Sequence, residues 1–388
     1  MSAFPQTISD WLKKLISFDT TSRNSNLNLI DTIDDWLKTQ GMTSRRTYDA
    51  SQQKANLFAT LPASNGSVQQ GIILSGHTDV VPVDGQEWNT DPFIATEIDD
   101  RVYGRGTADM KGFIAVVLAL IPEFKKQQLS QPIHFAFSYD EEVGCHGVRD
   151  ILTDIKQQGL QPRACVVGEP TLMRPVVAHK GINVFRVRVH GRASHSSLTT
   201  KGCNAIEYAA QLMNWIREFG KTLQHGPQDK FYDVPFSSMT TNLISGGNAI
   251  NTIPNLCEFF FEFRNLPTVS PQTIRNQIES YIKNELLPNM QQEYQDAGIE
   301  LDLIAAVPGL EASEQATITK IIRALTNEHE IFKVAYATEA GLFQQDDIPT
   351  IVCGPGSIEQ AHRADEYIML EQLKQCEKFL LELVQNKI

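Results

Sequence analysis

The sequence predicts an α/β protein: a mainly parallel central sheet wrapped by helices, interrupted by a small α+β insertion of ferredoxin-like type. Up to about residue 180, short apolar runs alternate with longer runs at helical spacing, the order of a parallel sheet covered by helices. After Lys180-Gly181 the texture changes to alternating apolar and polar residues, the period of a sheet with one wet face. From Ser313 the first pattern resumes, so the middle reads as an insertion. A chain of 388 residues is too long for one small core, and two domains are expected. The boundaries are read as 1–180 and 296–388 for the interrupted domain and 181–295 for the insertion.

Pro5 to Phe18 carries Trp11, Leu12, Leu15 and Ile16 at helical spacing, and Leu29 to Gln40 repeats the pattern before Gly41. Ala55 to Leu61 and Gly71 to Gly76 read as strands separated by a polar turn. Asp109 to Lys126 is a helix with an apolar centre, and Pro132 to Tyr139 a strand that ends in Asp140-Glu141-Glu142. Val148 to Gln158 is a helix, and Ala164 to Gly168 a strand that ends in Glu169-Pro170. In the insertion, Asn183 to His190, Met239 to Ile244, Cys257 to Arg264 and Ile299 to Ala306 are strands. Cys203 to Phe219 and Pro271 to Leu287 are its helices, which gives the strand and helix order of a ferredoxin-like sandwich. Ala316 to His329 is then a helix, Lys333 to Ala337 and Thr350 to Gly354 are strands, and Leu370 to Gln385 is a closing amphipathic helix.

Composition excludes several classes. The net charge is -12 and no dense Lys/Arg tract exists, which argues against a nucleic-acid partner. The six cysteines are scattered without a CxxC pair and read as reduced, buried thiols of a cytoplasmic protein. Asp10, Lys13 and Lys14 interrupt the N-terminal apolar positions, so no signal peptide is expected. No apolar run approaches the roughly 18 residues that a membrane span needs.

Five residues with metal-ligand chemistry follow predicted strands or sit in loops: His77, Asp109, Glu142, Glu169 and His362. Singly, each is as well explained by a solvated loop charge or an ordinary polar histidine. Together they follow apolar strands, or lie near Gly354-Pro355-Gly356, whose backbone can approach a ligand closely. Two imidazoles and three carboxylates without thiolate suit zinc, or cobalt or manganese. A carboxylate shared by two ions would make a two-metal hydrolase site. Asp79 is placed to accept the free ring N–H of His77 and so fix its tautomer. Glu141, beside Glu142, suits a general base; a charged loop at a strand end is the alternative.

At these residues the chain resembles the M20 family of metallopeptidases and amidohydrolases. The matching segments are Ser75-Gly76-His77-Thr78-Asp79, Gly104 to Gly112, Asp140-Glu141-Glu142, Gly168-Glu169-Pro170 and Ala361-His362, in family order. The resemblance implies a zinc-peptidase-like catalytic domain holding two divalent ions, zinc first and cobalt as the substitute. His77 and Glu169 would bind one, Glu142 and His362 the other, and Asp109 would bridge them. Glu141 would be the general base and acid. The insertion would be a lid and dimerisation domain of a homodimer. Within it, Gly191 to Ser197 matches the lid segment whose histidine, His195, would stabilise the oxyanion in the partner subunit's active site. Asn251 would contact substrate, and Arg264 would grip its carboxylate with the help of the backbone at Gly354 and Gly356.

Within the family the chain is most similar to the proteobacterial type of acetylornithine deacetylase. The local signs are Gly168 to Thr171, Ala178 to Gly181, Thr338-Glu339-Ala340, Gly354 to Ile358 and Asp365-Glu366-Tyr367. Glu339 is expected to contact the substrate or a residue behind the site. The implied reaction is removal of the acetyl group from N2-acetyl-L-ornithine, a step of arginine biosynthesis. Rivals that share the metal site are a succinyl-diaminopimelate desuccinylase, an N-acetylcitrulline deacetylase, an aminoacylase or a dipeptidase. A non-catalytic binding protein on the same fold would be expected to lack a ligand or Glu141, and the sequence keeps them all.

Overall fold

A computed structural model describes residues 4–386. It divides into two units. One comprises the chain up to Ala178, Leu310–Phe332 and the chain from Thr338; the other comprises His179–Gly309 and Lys333–Ala337.

The first unit opens with α1 (Ile8–Ile16) and α2 (Leu27–Thr39), followed by strands β1 (Ser44–Tyr48), β2 (Ala55–Leu61) and β3 (Ile72–His77). Thr7 caps α1 in a reciprocal box with Asp10, which satisfies the exposed N–H groups of its first turn. Short strands β4 (Thr96–Ile98) and β5 (Arg101–Tyr103) lead into an irregular turn, Thr107–Lys111, and then α3 (Gly112–Lys126). The sequence reading started this helix at Asp109. In the structure Asp109 is non-helical, with φ -122° and ψ 92°. β6 (Ile133–Ser138), α4 (His146–Gln157), β7 (Ala164–Pro170) and β8 (Val176–His179) complete the first passage.

The second unit holds β9 (Gly181–His190), β10 (Ser194–His195), α5 (Ala205–Leu223), β11 (Ser238–Gly246), β12 (Thr252–Ile253), β13 (Leu256–Asn265), α6 (Pro271–Tyr281), α7 (Leu287–Glu293) and β14 (Gly298–Val307). Its main sheet is antiparallel in the order β11-β13-β9-β14. β9 and β13 alternate buried and half-buried residues along their length, so one face carries Phe185, Val187, Phe259, Phe261 and Phe263 into a core with α5 and α6. β14 pairs with β9 along nearly its whole length, from Gly298 opposite His190 to Val307 opposite Ile182. The unit therefore runs to Gly309, beyond the residue 295 read from the sequence.

The chain returns to the first unit with β15 (Leu310–Glu311) and α8 (Thr317–Thr326). The strand expected at Lys333 to Ala337 is instead a three-residue β16, Phe332–Val334. A short helix α9 (Ala340–Gln345) follows, then β17 (Thr350–Gly354), β18 (Tyr367–Met369) and α10 (Leu370–Leu383).

The large sheet runs β1-β2-β6-β3-β7-β17-β8-β15. Its centre is parallel: β3 pairs in parallel with β6 and β7, and β17 with β7. These strands are buried along their whole length, as expected for a sheet covered on both faces. α3 is buried over most of its length beside α1 and α10. All six cysteines are buried and free. No helix among the described residues is long and apolar enough to cross a membrane.

Candidate metal centre

Parallel strands deliver their C-terminal ends to one edge of the sheet, where α/β proteins hold their ligands. Here those ends carry His77 on β3, Glu141 and Glu142 just after β6, and Glu169 on β7. The irregular turn before α3 adds Asp109, and the loop after β17 adds His362.

The distances fall into two groups that share Asp109. His77 Nε2 lies 3.0 Å from Asp109 Oδ1 and 3.8 Å from Glu169 Oε1. His362 Nε2 lies 3.0 Å from Glu142 Oε2 and 3.4 Å from Asp109 Oδ2. Single donor atoms of His77, Glu141 and Glu169 lie within 4.8 Å of one another, as do those of His77, Asp109 and Glu142. His77, Asp109 and Glu169 are buried, while the His362 side chain is 55% exposed.

The tautomer of His77 follows from its partner. Its Nδ1 lies 2.9 Å from the Asp79 carbonyl, so Nδ1 carries the proton. With Nδ1 so engaged, Nε2 faces the Asp109 and Glu169 carboxylates, and either a metal ion or a second ring proton stands between them. The sequence expectation gave this task to the Asp79 carboxylate, but its nearest oxygen is 3.6 Å from Nδ1. That carboxylate instead accepts the Ser22 hydroxyl at 2.7 Å and the backbone N–H groups of Glu141 and Glu142 at 3.1 and 3.3 Å. A buried carboxylate needs several such donors, and here they fix the turn that presents both glutamates.

The electrostatics point the same way. Burial raises the carboxyls of Glu141, Glu142 and Glu169, and the nearby Asp109 charge adds to it; Glu142 is pushed up to about 7. Asp109 and Glu142 together raise His362 to about 10. Burial alone would lower His77, but Asp109 and Asp79 outweigh it and raise it well above its ordinary value. Such crowding of acid in a dry site is what a divalent ion relieves, and nitrogen and oxygen donors without sulfur fit zinc, cobalt or manganese.

Asp140 stands apart from its two acidic neighbours. Its carboxylate is paired with Lys54 Nζ at 2.6 Å, and its φ of 54° turns the chain so that Glu141 and Glu142 face the centre. Cys145, with φ 52°, directs its thiol to Glu141 Oε1 at 3.3 Å.

Three expectations change. Glu339 has no exposed surface, and its carboxylate accepts the hydroxyls of Ser75 on β3 and Ser138 on β6. It ties together the two strands that present His77 and the glutamates, so of the two contacts expected for Glu339 the one behind the site remains. Gly354 was expected to orient substrate through its backbone. Its N–H is engaged by Thr171 Oγ1, and its carbonyl accepts the N–H of Met173. A Cβ there would lie 2.1 Å from the Gly168 carbonyl, so close packing of β17 on β7 requires glycine. Gly356 donates to Gln372 Oε1, accepts from Leu172 N–H and has φ +91°. Both glycines serve the fold.

His195, Asn251 and Arg264 belong to the second unit. His195 pairs with Thr252 across β10 and β12, and its ring is exposed. The Ser197 N–H donates to its Nδ1 at 3.2 Å, which leaves the proton on Nε2 as an outward donor. Asn251 is exposed, and its carbonyl accepts the Ser196 N–H. Arg264 donates from Nε to Glu262 at 2.9 Å and from Nη1 to the Ala335 carbonyl at 3.2 Å, so only its remaining donors are left for a ligand.

Sequence reasoning gave no role to Arg105, Glu366 and Gln86, which form a network behind Asp109 that is buried at Arg105 and Glu366. The available signal was an arginine set between two glycines, Gly104-Arg105-Gly106, four residues before Asp109.

A model of peptidase family M20/M25/M40 matches residues 73–386. An acetylornithine deacetylase of Pasteurella multocida is 34% identical over 372 residues, covering 95% of this chain and 93% of the relative. One of Aliivibrio salmonicida is 34% identical over 353 residues, covering 91% and 89%. Among solved structures, an M20 family metallo-carboxypeptidase of Sulfolobus solfataricus superposes with a TM-score of 0.74 at 17% identity, covering 96% of this chain and 97% of that one. A dinuclear metal binding peptidase of the M20 family from Bacillus subtilis superposes with a TM-score of 0.65 at 16% identity, covering 97% and 96%. These two likenesses concern the fold.

Proposed function

The chain belongs to peptidase family M20/M25/M40, and from that premise we propose that this hydrolase removes the acetyl group from N2-acetyl-L-ornithine, giving L-ornithine and acetate in arginine biosynthesis. The observation that carries the hydrolytic reading is Asp109, with one carboxylate oxygen toward His77 and the other toward His362. The choice of substrate rests on the relatives named acetylornithine deacetylase, which align over more than nine-tenths of the chain.

In this reading His77 and Glu169 would hold one zinc ion, Glu142 and His362 would hold the other, and Asp109 would serve both. When bound, the pair supplies Lewis acidity that polarises the acyl carbonyl and lowers the pKa of water. Glu141 accepts a proton from the attacking water as the new C–O bond forms. It returns that proton to the α-nitrogen as the C–N bond breaks. Asp79 holds the backbone of Glu141 and Glu142 in place for both steps. His195, with its proton on Nε2, is the donor to the developing oxyanion, and Arg264 and Asn251 orient the substrate. The protein works as a cytoplasmic homodimer.

Turnover of a panel of N-acyl amino acids, with and without added zinc, tests the reading. N2-acetyl-L-ornithine should give the highest kcat/KM. Preference for a succinylated, N-acetylcitrulline or dipeptide substrate would reassign the pocket, and full activity in the presence of a strong chelator would remove the metals from the mechanism.

A further inference from the structure

The residues that hold the centre come from distant parts of the chain, and two of them have unusual support. His362 is about half exposed, so packing does little to fix it, and its backbone has φ +62°. A non-glycine residue in that region is strained and persists only where its surroundings hold it. Asp109 sits in a turn that is not helical, ahead of α3.

One network, buried at Arg105 and Glu366 and half-buried at Gln86, reaches both. Glu366, four residues after His362, accepts the backbone N–H groups of Ala108 and Asp109 through Oε1 at 2.9 and 3.1 Å. Its Oε2 pairs with Arg105 Nη1 at 2.6 Å, and both side chains are 1% exposed. Its own carbonyl accepts the Gly104 N–H at 2.9 Å. Arg105 Nη2 donates to Gln86 Oε1 at 2.6 Å, and Gln86 Nε2 donates to the His362 carbonyl at 2.9 Å. Beside it, Asp365 accepts the backbone N–H of Asn89 at 2.8 Å.

We propose that Glu366, through Arg105 and Gln86, is a positioning residue of the metal centre: it locks the His362 loop to the Asp109 turn and so sets the distance between the two halves of the ligand set. The inference rests on the metal reading above. A buried ion pair is by itself weak evidence for stability. Here each end of the network contacts the backbone of a residue in the ligand set. Removing partners of this kind costs on the order of 10- to 100-fold in metal affinity.

The test is a zinc titration of metal-free protein, with melting temperatures of the metal-free and loaded forms, for wild type, Glu366→Gln and Gln86→Ala. Glu366→Gln should weaken the binding of both ions by about tenfold or more, because Asp109 is common to them. Gln86 is only half-buried, and Gln86→Ala should leave the metal-free melting temperature unchanged while weakening one ion. If both variants bind two ions as tightly as wild type, the network is merely structural and the inference falls, whatever happens to the melting temperatures. Should Glu366→Gln fail to fold, Gln86→Ala decides. If wild type itself takes up no pair of ions, the metal reading fails first and takes this inference with it.

Discussion

Asp79 fixes His77 through its main chain: the Asp79 carbonyl accepts the His77 Nδ1–H at 2.9 Å, and its carboxylate turns away to the backbone of Glu141 and Glu142. Asp79→Ala should therefore preserve the His77 tautomer and disturb the glutamate turn. The expected result is lowered kcat and a loss of roughly 1–3 kcal/mol of stability, the cost of leaving buried donors unpaired. Kinetics and urea unfolding of the metal-loaded protein check it, and loss of the ion at His77 with an intact glutamate turn would contradict it.

Glu141 faces the centre beside Glu142 but is assigned the proton-transfer role. Glu141→Ala should retain two metal ions per chain and lose about 10²- to 10⁴-fold in kcat. Metal analysis beside steady-state kinetics is the measurement. A fall to one ion would make Glu141 a ligand.

His195 presents Nε2–H from an exposed ribbon in the second unit. His195→Ala should lower kcat by about 10²- to 10³-fold, the usual cost of one oxyanion donor. KM should change little. An effect confined to KM would assign His195 to ground-state binding instead.

Metal uptake should release protons. Without a cation, Glu142 titrates at about 7 and His362 at about 10, so near pH 7.5 His362 carries a proton that ligation must expel. Calorimetric zinc titration in buffers of different ionisation enthalpy should give about one proton released per chain or more, and affinity that rises with pH. Affinity independent of pH between 6 and 9 would refute the pairing of His362 with Glu142.

His134 is a buried base remote from the centre. Its Nε2–H donates to the Gln70 carbonyl, so Nδ1 accepts from the Thr60 hydroxyl, and burial lowers its pKa to about 4. The unfolded chain takes up this proton near pH 6.5 and the folded chain only near 4. The stability conferred is thus complete above about pH 6.5 and is lost as pH falls to about 4, on the order of 3 kcal/mol. Urea unfolding between pH 7.5 and 4 should show a shallower pH dependence for His134→Gln than for wild type. Equal slopes would place the titration elsewhere.

Much of the fold was legible because its signals are local. Ala55–Leu61 and Thr350–Gly354 were read to the residue, since a mainly apolar run of strand length has few other uses. Other elements gave no such sign. β1 buries no face, so Ser44–Tyr48 carries no alternation to detect. α9 is six residues long, too short for a helical period to emerge. The end of the second unit was drawn at residue 295 although Ile299 to Ala306 was read as its last strand; the pairing of β14 with β9, between residues about 116 apart, is what holds that strand in the unit.

The sequence by itself determined the alternating order of strands and helices, the interrupted first unit, and the cluster of histidines and acids at strand ends. Those depend on apolar periodicity and on residue types that have little reason to follow a buried strand. Only the tertiary structure decided how these groups divide their work. It gave the His77 proton to a carbonyl, moved Glu339 behind the strands, returned Gly354 and Gly356 to packing, and joined Glu366 to Asp109. Each of these turns on a contact of about 3 Å or less between particular atoms, often from distant parts of the chain, and no spacing in the sequence encodes such a distance.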